Sequence, residues 1–168
     1  MPDANLGGLE EEILRSIRRI VRAIEMYSQC LVNQVGLTSP QLSVLKAVQR
    51  LDPATPTTIA RELSLSQPTV SGILDRLHAK QLLQRDSHAE DRRMRTHRLT
   101  AEAARLVQSA PPLLQESFLR GLSDLQDWER SMLLASLQRV AGLMDAESLE
   151  AHPFLTSGTA PLGADLEK

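Results

Sequence analysis

Between Leu9 and Val35, apolar or aromatic residues recur at spacings of three or four: Leu9, Ile13, Ile17, Ile20, Ile24, Tyr27, Leu31 and Val35. This spacing places all of them on one stripe of a single long helix. Glu10, Glu11 and Glu12 fall in its first turn, where the helix dipole favours negative charge, and Gly36 supplies a stop. Arg15, Arg18, Arg19 and Arg22 cover the opposite face. Such a stripe is longer than one small domain buries, so the helix is expected to meet a partner helix. The chain has only four aromatic residues among 168, so its core must be built from Leu, Ile, Val and Ala.

Downstream, Thr38-Ser39-Pro40-Gln41 opens a second helix, with Thr38 as cap and Pro40 in the first turn, and Leu42, Val44, Leu45 and Val48 form its core face. After the loop 52–56, a short helix over 57–63 and a turn at Ser64-Leu65-Ser66 lead into a helix over 67–80, capped by Ser66. Val70, Ile73, Leu74 and Leu77 give that helix a buried face. Gln67, Thr69, Ser71, Gly72, Asp75 and Arg76 remain outside. Its exposed N-terminal half is short, polar and nearly uncharged, where a plain solvent face would carry more Glu and Lys. The period then changes to that of a hairpin, with strands over 82–85 and 95–99 joined by a polar loop over 86–94. Arg92, Arg93, Arg95 and Arg98 lie within seven residues without an acid among them. Thr100 caps a further helix to about Ala110, Pro111-Pro112 breaks it, and a last helix is expected over 124–144. The tail has no periodicity and is expected to be loosely ordered, with Phe154 and Leu155 able to pin it locally.

The formal net charge of −2 hides a division: residues 46–105 carry a net of +4 and the remainder a net of −6. A cationic middle in an acidic frame suits a localised anion-binding surface. Several classes find no support. No apolar run approaches the roughly 18 residues of a membrane span, and the N-terminus has neither the basic start nor the apolar centre of a signal peptide. The expected compartment is therefore the cytoplasm. A single cysteine, Cys30, allows no disulfide framework or multi-cysteine metal site. Its place beside the apolar stripe reads as a small buried residue. The histidines 78, 88, 97 and 152 are scattered; His88 and His97 can approach across the hairpin, but two histidines do not make a zinc site. With no Gly-rich phosphate loop and no nucleophile beside a base, neither a catalytic residue nor a cofactor is expected, and the chain does not read as an enzyme.

Helix, short helix, turn, helix and basic hairpin, in that order, make a winged helix-turn-helix. The polar tip of the 67–80 helix suits base edges in a major groove, and the arginine loop suits the backbone and a minor groove. Leu37-Thr38-x-x-Gln41-x-x-Val44-Leu45, Leu65-Ser66-Gln67-Pro68-Thr69-Val70-Ser71 and Asp91-Arg92-Arg93 followed by Leu99-Thr100 resemble the MarR-type transcriptional regulators. The resemblance covers about residues 37–105. It implies a mainly α fold in which a winged helix-turn-helix is flanked by long dimerisation helices in a two-fold homodimer. It implies a repressor bound to a pseudo-palindromic operator in double-stranded DNA and released by a small-molecule effector of unidentified structure. Carried over, Ser66, Gln67, Thr69, Ser71 and Arg76 meet the major groove, Arg93 enters the minor groove with Asp91 fixing it, and Arg92 and Arg95 lie near phosphates. Tyr27 and Leu31 are the candidates to line an effector pocket. The sequence departs from the family at Gln81 and Ala103, where members often have glycine, so Gln81 must adopt a left-handed conformation or end the helix differently. Pro111-Pro112 and the tail mark a distinct subgroup that loosely resembles members associated with compatible-solute (ectoine) genes.

These readings divide the chain into a dimerisation helix over 6–36, a winged helix-turn-helix over 37–100, dimerisation helices over 101–146 and a loosely ordered tail over 147–168. Two alternatives remain at this level: a thiol-based redox-sensing repressor acting through Cys30, and a helical adaptor that has lost DNA binding. The arginine density of 92–98 has no use in the adaptor, and Cys30 has no basic residue within one turn of it in sequence to lower its pKa.

Overall fold

The computed structural model describes residues 7–87, 95–149, 151 and 153–156. The elements are α1 (Gly8–Val35), α2 (Ser39–Arg50), α3 (Pro56–Leu63), α4 (Gln67–Ala79), β1 (Leu83–Ser87), β2 (Arg95–Leu99), α5 (Ala101–Ser109), α6 (Leu114–Ser123) and α7 (Asp127–Leu143). They fall into two compact units, one holding α1 to α5 with the hairpin and the other holding α6 and α7.

In the first unit each helix begins or ends on a local chemical signal. α1 stops where Gly36 turns left-handed (φ 68°) and donates its amide to Val32 O. At α2 the expected cap takes its reciprocal form. The Thr38 side chain makes no cap bond, and the Thr38 amide donates instead to Gln41 Oε1 at 3.1 Å. Thr55 Oγ1 accepts from the Thr58 amide to start α3, Ser66 Oγ accepts from the Thr69 amide to start α4, and Thr100 Oγ1 accepts from the Ala103 amide to start α5. Pro56 and Pro68 sit in first turns, where a missing amide hydrogen costs no helix bond. α2 is the centre of the unit, packed against α3, α4, α5 and β2. Leu37, Leu42, Val44, Leu45, Ile59, Val70 and Leu77 are almost wholly excluded from water. Each such side chain contributes about 1.5–3 kcal/mol on burial.

The antiparallel hairpin pairs Leu83 with Leu99, Arg85 with His97 and Ser87 with Arg95. β1 thus runs to Ser87, two residues beyond the expected strand, because ladder bonding continues past the last apolar residue of the strand. β2 is also tied from its other edge, where the His97 amide donates to Ala54 O at 3.0 Å. Ala103 is fully buried at the start of α5.

In the second unit α6 and α7 open on acid side chains, with Glu116 accepting from the Leu113 amide and Glu129 from the Gln126 amide. The last helix begins at Asp127 rather than 124, since Gln126 is its N-cap. Trp128, Met132, Leu134 and Leu137 of α7 are each more than half exposed. On α1, Leu9, Ile13 and Ile20 of the stripe are exposed, and off-stripe Leu14, Val21, Met26 and Val32 widen the apolar surface. Cys30 is exposed, not buried. The helix turns Leu31 into the core and leaves the preceding residue outside. No described helix is long and apolar enough to cross a membrane.

Candidate nucleic-acid interface

α4 sorts its side chains as a reading helix must. Val70, Ile73, Leu74 and Leu77 are buried against the unit, while Gln67, Ser71, Asp75 and Arg76 are exposed and Thr69 is half-buried. Gly72, between Thr69 and Arg76, has open space where a Cβ would stand, so the outer face is low as well as polar. Its leading end is stiffened by side-chain bonds. Gln67 Nε2 donates to Thr57 Oγ1 at 2.7 Å, Ser66 Oγ lies 2.7 Å from Thr69 Oγ1, and Ser66 Oγ holds the Thr69 amide. Four of the five expected reading residues on this element, Ser66, Gln67, Thr69 and Ser71, therefore sit together at the N-terminal tip. Arg76 lies farther along the helix.

The C-terminal end of α4 sets where the wing departs. Gln81 adopts a left-handed conformation (φ 57°), one of the two alternatives open from the sequence. The Gln81 amide donates to His78 O at 2.9 Å and the Leu82 amide to Leu77 O at 3.0 Å, while Leu77 and Leu82 are both buried. This is a Schellman ending built on glutamine in place of glycine. The chain then enters β1, where Arg85 is exposed and lies 3.9 Å from Asp75 of α4. Arg98 is exposed on β2. Asp91, Arg92 and Arg93 lie outside the described residues, and Arg95 is placed only by its backbone, at the start of β2 opposite Ser87.

Three contributors escaped the sequence reading. Thr57 braces Gln67 from another helix, Arg85 adds a cation at the root of the wing, and His78 meets His97. The two rings stand 2.9 Å apart between Nε2 of His78 and Nδ1 of His97, and His78 Nδ1 lies 3.1 Å from Leu83 O. His97 is nearly buried. Burial, helped by the neighbouring His78 and Arg85 and opposed by Asp75, pushes its pKa down to about 4, so it is neutral at pH 7. Among the described residues no cluster of three or more His, Cys, Asp or Glu is placed to hold a metal ion. Leu31 has no accessible surface and Tyr27 is half-buried, while the cavity on α1 is lined by Met26, Gln29, Cys30 and Asn33 among others.

Residues 35–94 match the model of the MarR family. Over this span the chain is similar to the MarR family. It is 25% identical over 129 residues, 77% of its length and 88% of the relative's, to YsmB, an HTH-type transcriptional regulator of Bacillus subtilis. Among solved structures, that of the Staphylococcus aureus MepR–DNA complex is similar with a TM-score of 0.55 and 25% identity, over 77% of this chain and 96% of MepR. BldR of Sulfolobus solfataricus shares the fold at a TM-score of 0.51 and 24% identity, over 80% of this chain and 95% of BldR. The MarR type is one of transcriptional regulators rather than enzymes.

Proposed function

We propose that this MarR-type protein is a sequence-specific DNA-binding repressor, acting in the cytoplasm as a homodimer on a pseudo-palindromic operator. The observation that carries the reading is the exposed polar tip of α4. Gln67 is held to Thr57 across the helix-turn-helix, Ser66 and Thr69 are bonded to each other at the tip, and Ser71 is exposed beside them, while the opposite face is locked in the core. Small polar side chains on a rigid helix end are what hydrogen-bonding to base edges requires. Arg76, Arg85 and Arg98 are exposed cations of the same unit, suited to the phosphate backbone. In this reading Arg93 enters the minor groove with Asp91 orienting it, and Arg92 and Arg95 contact phosphates. That MepR is solved on DNA supports the same use of this fold.

Two copies would cover the exposed apolar faces of α1 and of α7. A two-fold pair presents its recognition helices about 34 Å apart, one DNA turn. Release by a small-molecule effector near Tyr27 and Leu31, and control of compatible-solute genes, rest on the sequence resemblance alone.

Fluorescence anisotropy of the purified protein tests the reading, with the DNA upstream of its own gene and a shuffled control as probes across a salt series. A preference of at least about 10³-fold is expected, falling with salt in proportion to the phosphates engaged. Equal, weak binding to both, with no sequence enriched from genomic fragments, would leave the adaptor as the better account.

A further inference from the structure

The hydrogen bonds around His78 and His97 specify where their protons sit. A carbonyl only accepts, so His78 Nδ1, 3.1 Å from Leu83 O, carries a hydrogen. In the neutral ring His78 Nε2 is then the acceptor, and the 2.9 Å contact is donated by His97 Nδ1–H. That leaves His97 Nε2 as a bare lone pair, and it is buried with no hydrogen-bond partner. A core position carrying such an unpaired nitrogen is costly unless the other nitrogen does something a leucine would not.

What it does is join three elements. His97 holds β2 to α4 through His78, its own amide holds β2 to Ala54 in the loop after α2, and His78 holds β1 through Leu83 O. A further polar link between helix and wing, the Asp75–Arg85 pair, is at 3.9 Å and well exposed, and exposed pairs restrain little. In the sequence, Arg93 and Asp91 precede the first residue of β2, Arg95, by two and four positions.

We infer that the His78–His97 pair is a joint that sets the pose of the wing on the recognition helix, which makes His97 a positioning residue for the wing's contacts with DNA. The inference rests on the DNA-binding reading above, but its structural half does not. Ring-nitrogen NMR of the free, full-length protein, with both rings neutral, should show both histidines protonated at Nδ1 and bare at Nε2. A proton on His78 Nε2 with none on His97 Nδ1 would overturn the joint, whether or not any operator exists.

The functional half is read by a double-mutant cycle on the operator. His97→Leu removes the donor and is expected to weaken binding about tenfold, the size of one lost wing contact. In an Arg93→Ala background the same change should cost almost nothing further, because both act through the wing. Combined with Gln67→Ala the two losses should multiply. His97→Asn presents an amide N–H where Nδ1–H stood and should bind within about threefold of the wild type, in line with the small difference expected when a hydrogen bond is kept. Should His97→Leu lose its helical circular dichroism, His78→Ala at the half-buried end of the joint takes its place. Losses that multiply with Arg93→Ala, or unaltered affinity in a folded His97→Leu, would show that the pair only fills the core.

Discussion

Replacing Gln81 by glycine should make the protein more stable. Gln81 holds the left-handed turn after α4 with φ 57°. A side chain there brings Cβ against the following carbonyl and costs about 1–2 kcal/mol. Glycine removes that penalty but gives the unfolded chain more freedom, which takes back roughly 0.5–1 kcal/mol. The amide bonds to His78 O and Leu77 O involve only backbone and survive the change, and the exposed Gln81 side chain buries nothing. The net expectation is a gain of about 0.5–1 kcal/mol. At an m-value of about 2 kcal/mol/M it raises the urea midpoint by roughly 0.25–0.5 M with m unchanged. Circular dichroism at one fixed protein concentration measures it, since association contributes to apparent stability. Gln81→Ala is the control, because alanine keeps the Cβ and the strain. A Gln81→Gly midpoint at or below those of the wild type and Gln81→Ala would refute the strain argument.

Four further outcomes are expected. Ser66→Ala removes the acceptor of the Thr69 amide and should cost about 1 kcal/mol of stability in the same urea assay. Ile59→Ala, at a position with no exposure, should cost about 2–5 kcal/mol. His97 titrates near 4 when folded and at 6.5 when free, so the unfolded chain binds the extra proton between those values. Stability should therefore be full above pH 6.5 and fall as pH drops towards 4, by up to about 1.4 kcal/mol per unit, and His97→Asn should flatten that part of a pH–stability curve. Arg93→Ala should weaken operator binding by about 1–3 kcal/mol in anisotropy without changing helix content.

The helical framework was legible because its signals are local. The 3–4 spacing from Leu9 to Val35, the caps at Ser66 and Thr100, the stop at Gly36 and the break at Pro111-Pro112 each act within a turn or two of chain. The conflict at Gln81 was visible for the same reason, since a helix ending needs a left-handed residue and the sequence offers no glycine. The His78–His97 joint was not legible: its members are 19 residues apart on a helix and a strand, so no periodicity links them. The Ala54–His97 backbone bond depends on tertiary placement and leaves no mark on side-chain type. Cys30 was misplaced because, at about 100° per residue, one step back from the buried Leu31 already reaches the outside of α1.

The central claim is that α4 reads base edges from its N-terminal tip in a two-fold pair. Selection of genomic fragments by the full-length protein, followed by footprinting of the enriched sites, tests it most directly. The account predicts a pseudo-palindrome whose half-site centres lie about one helical turn apart, with Gln67→Ala relaxing the preference at one symmetric pair of positions. Enrichment of no sequence, or of sites whose preference is untouched by changes at Gln67, Thr69 and Ser71, would contradict it.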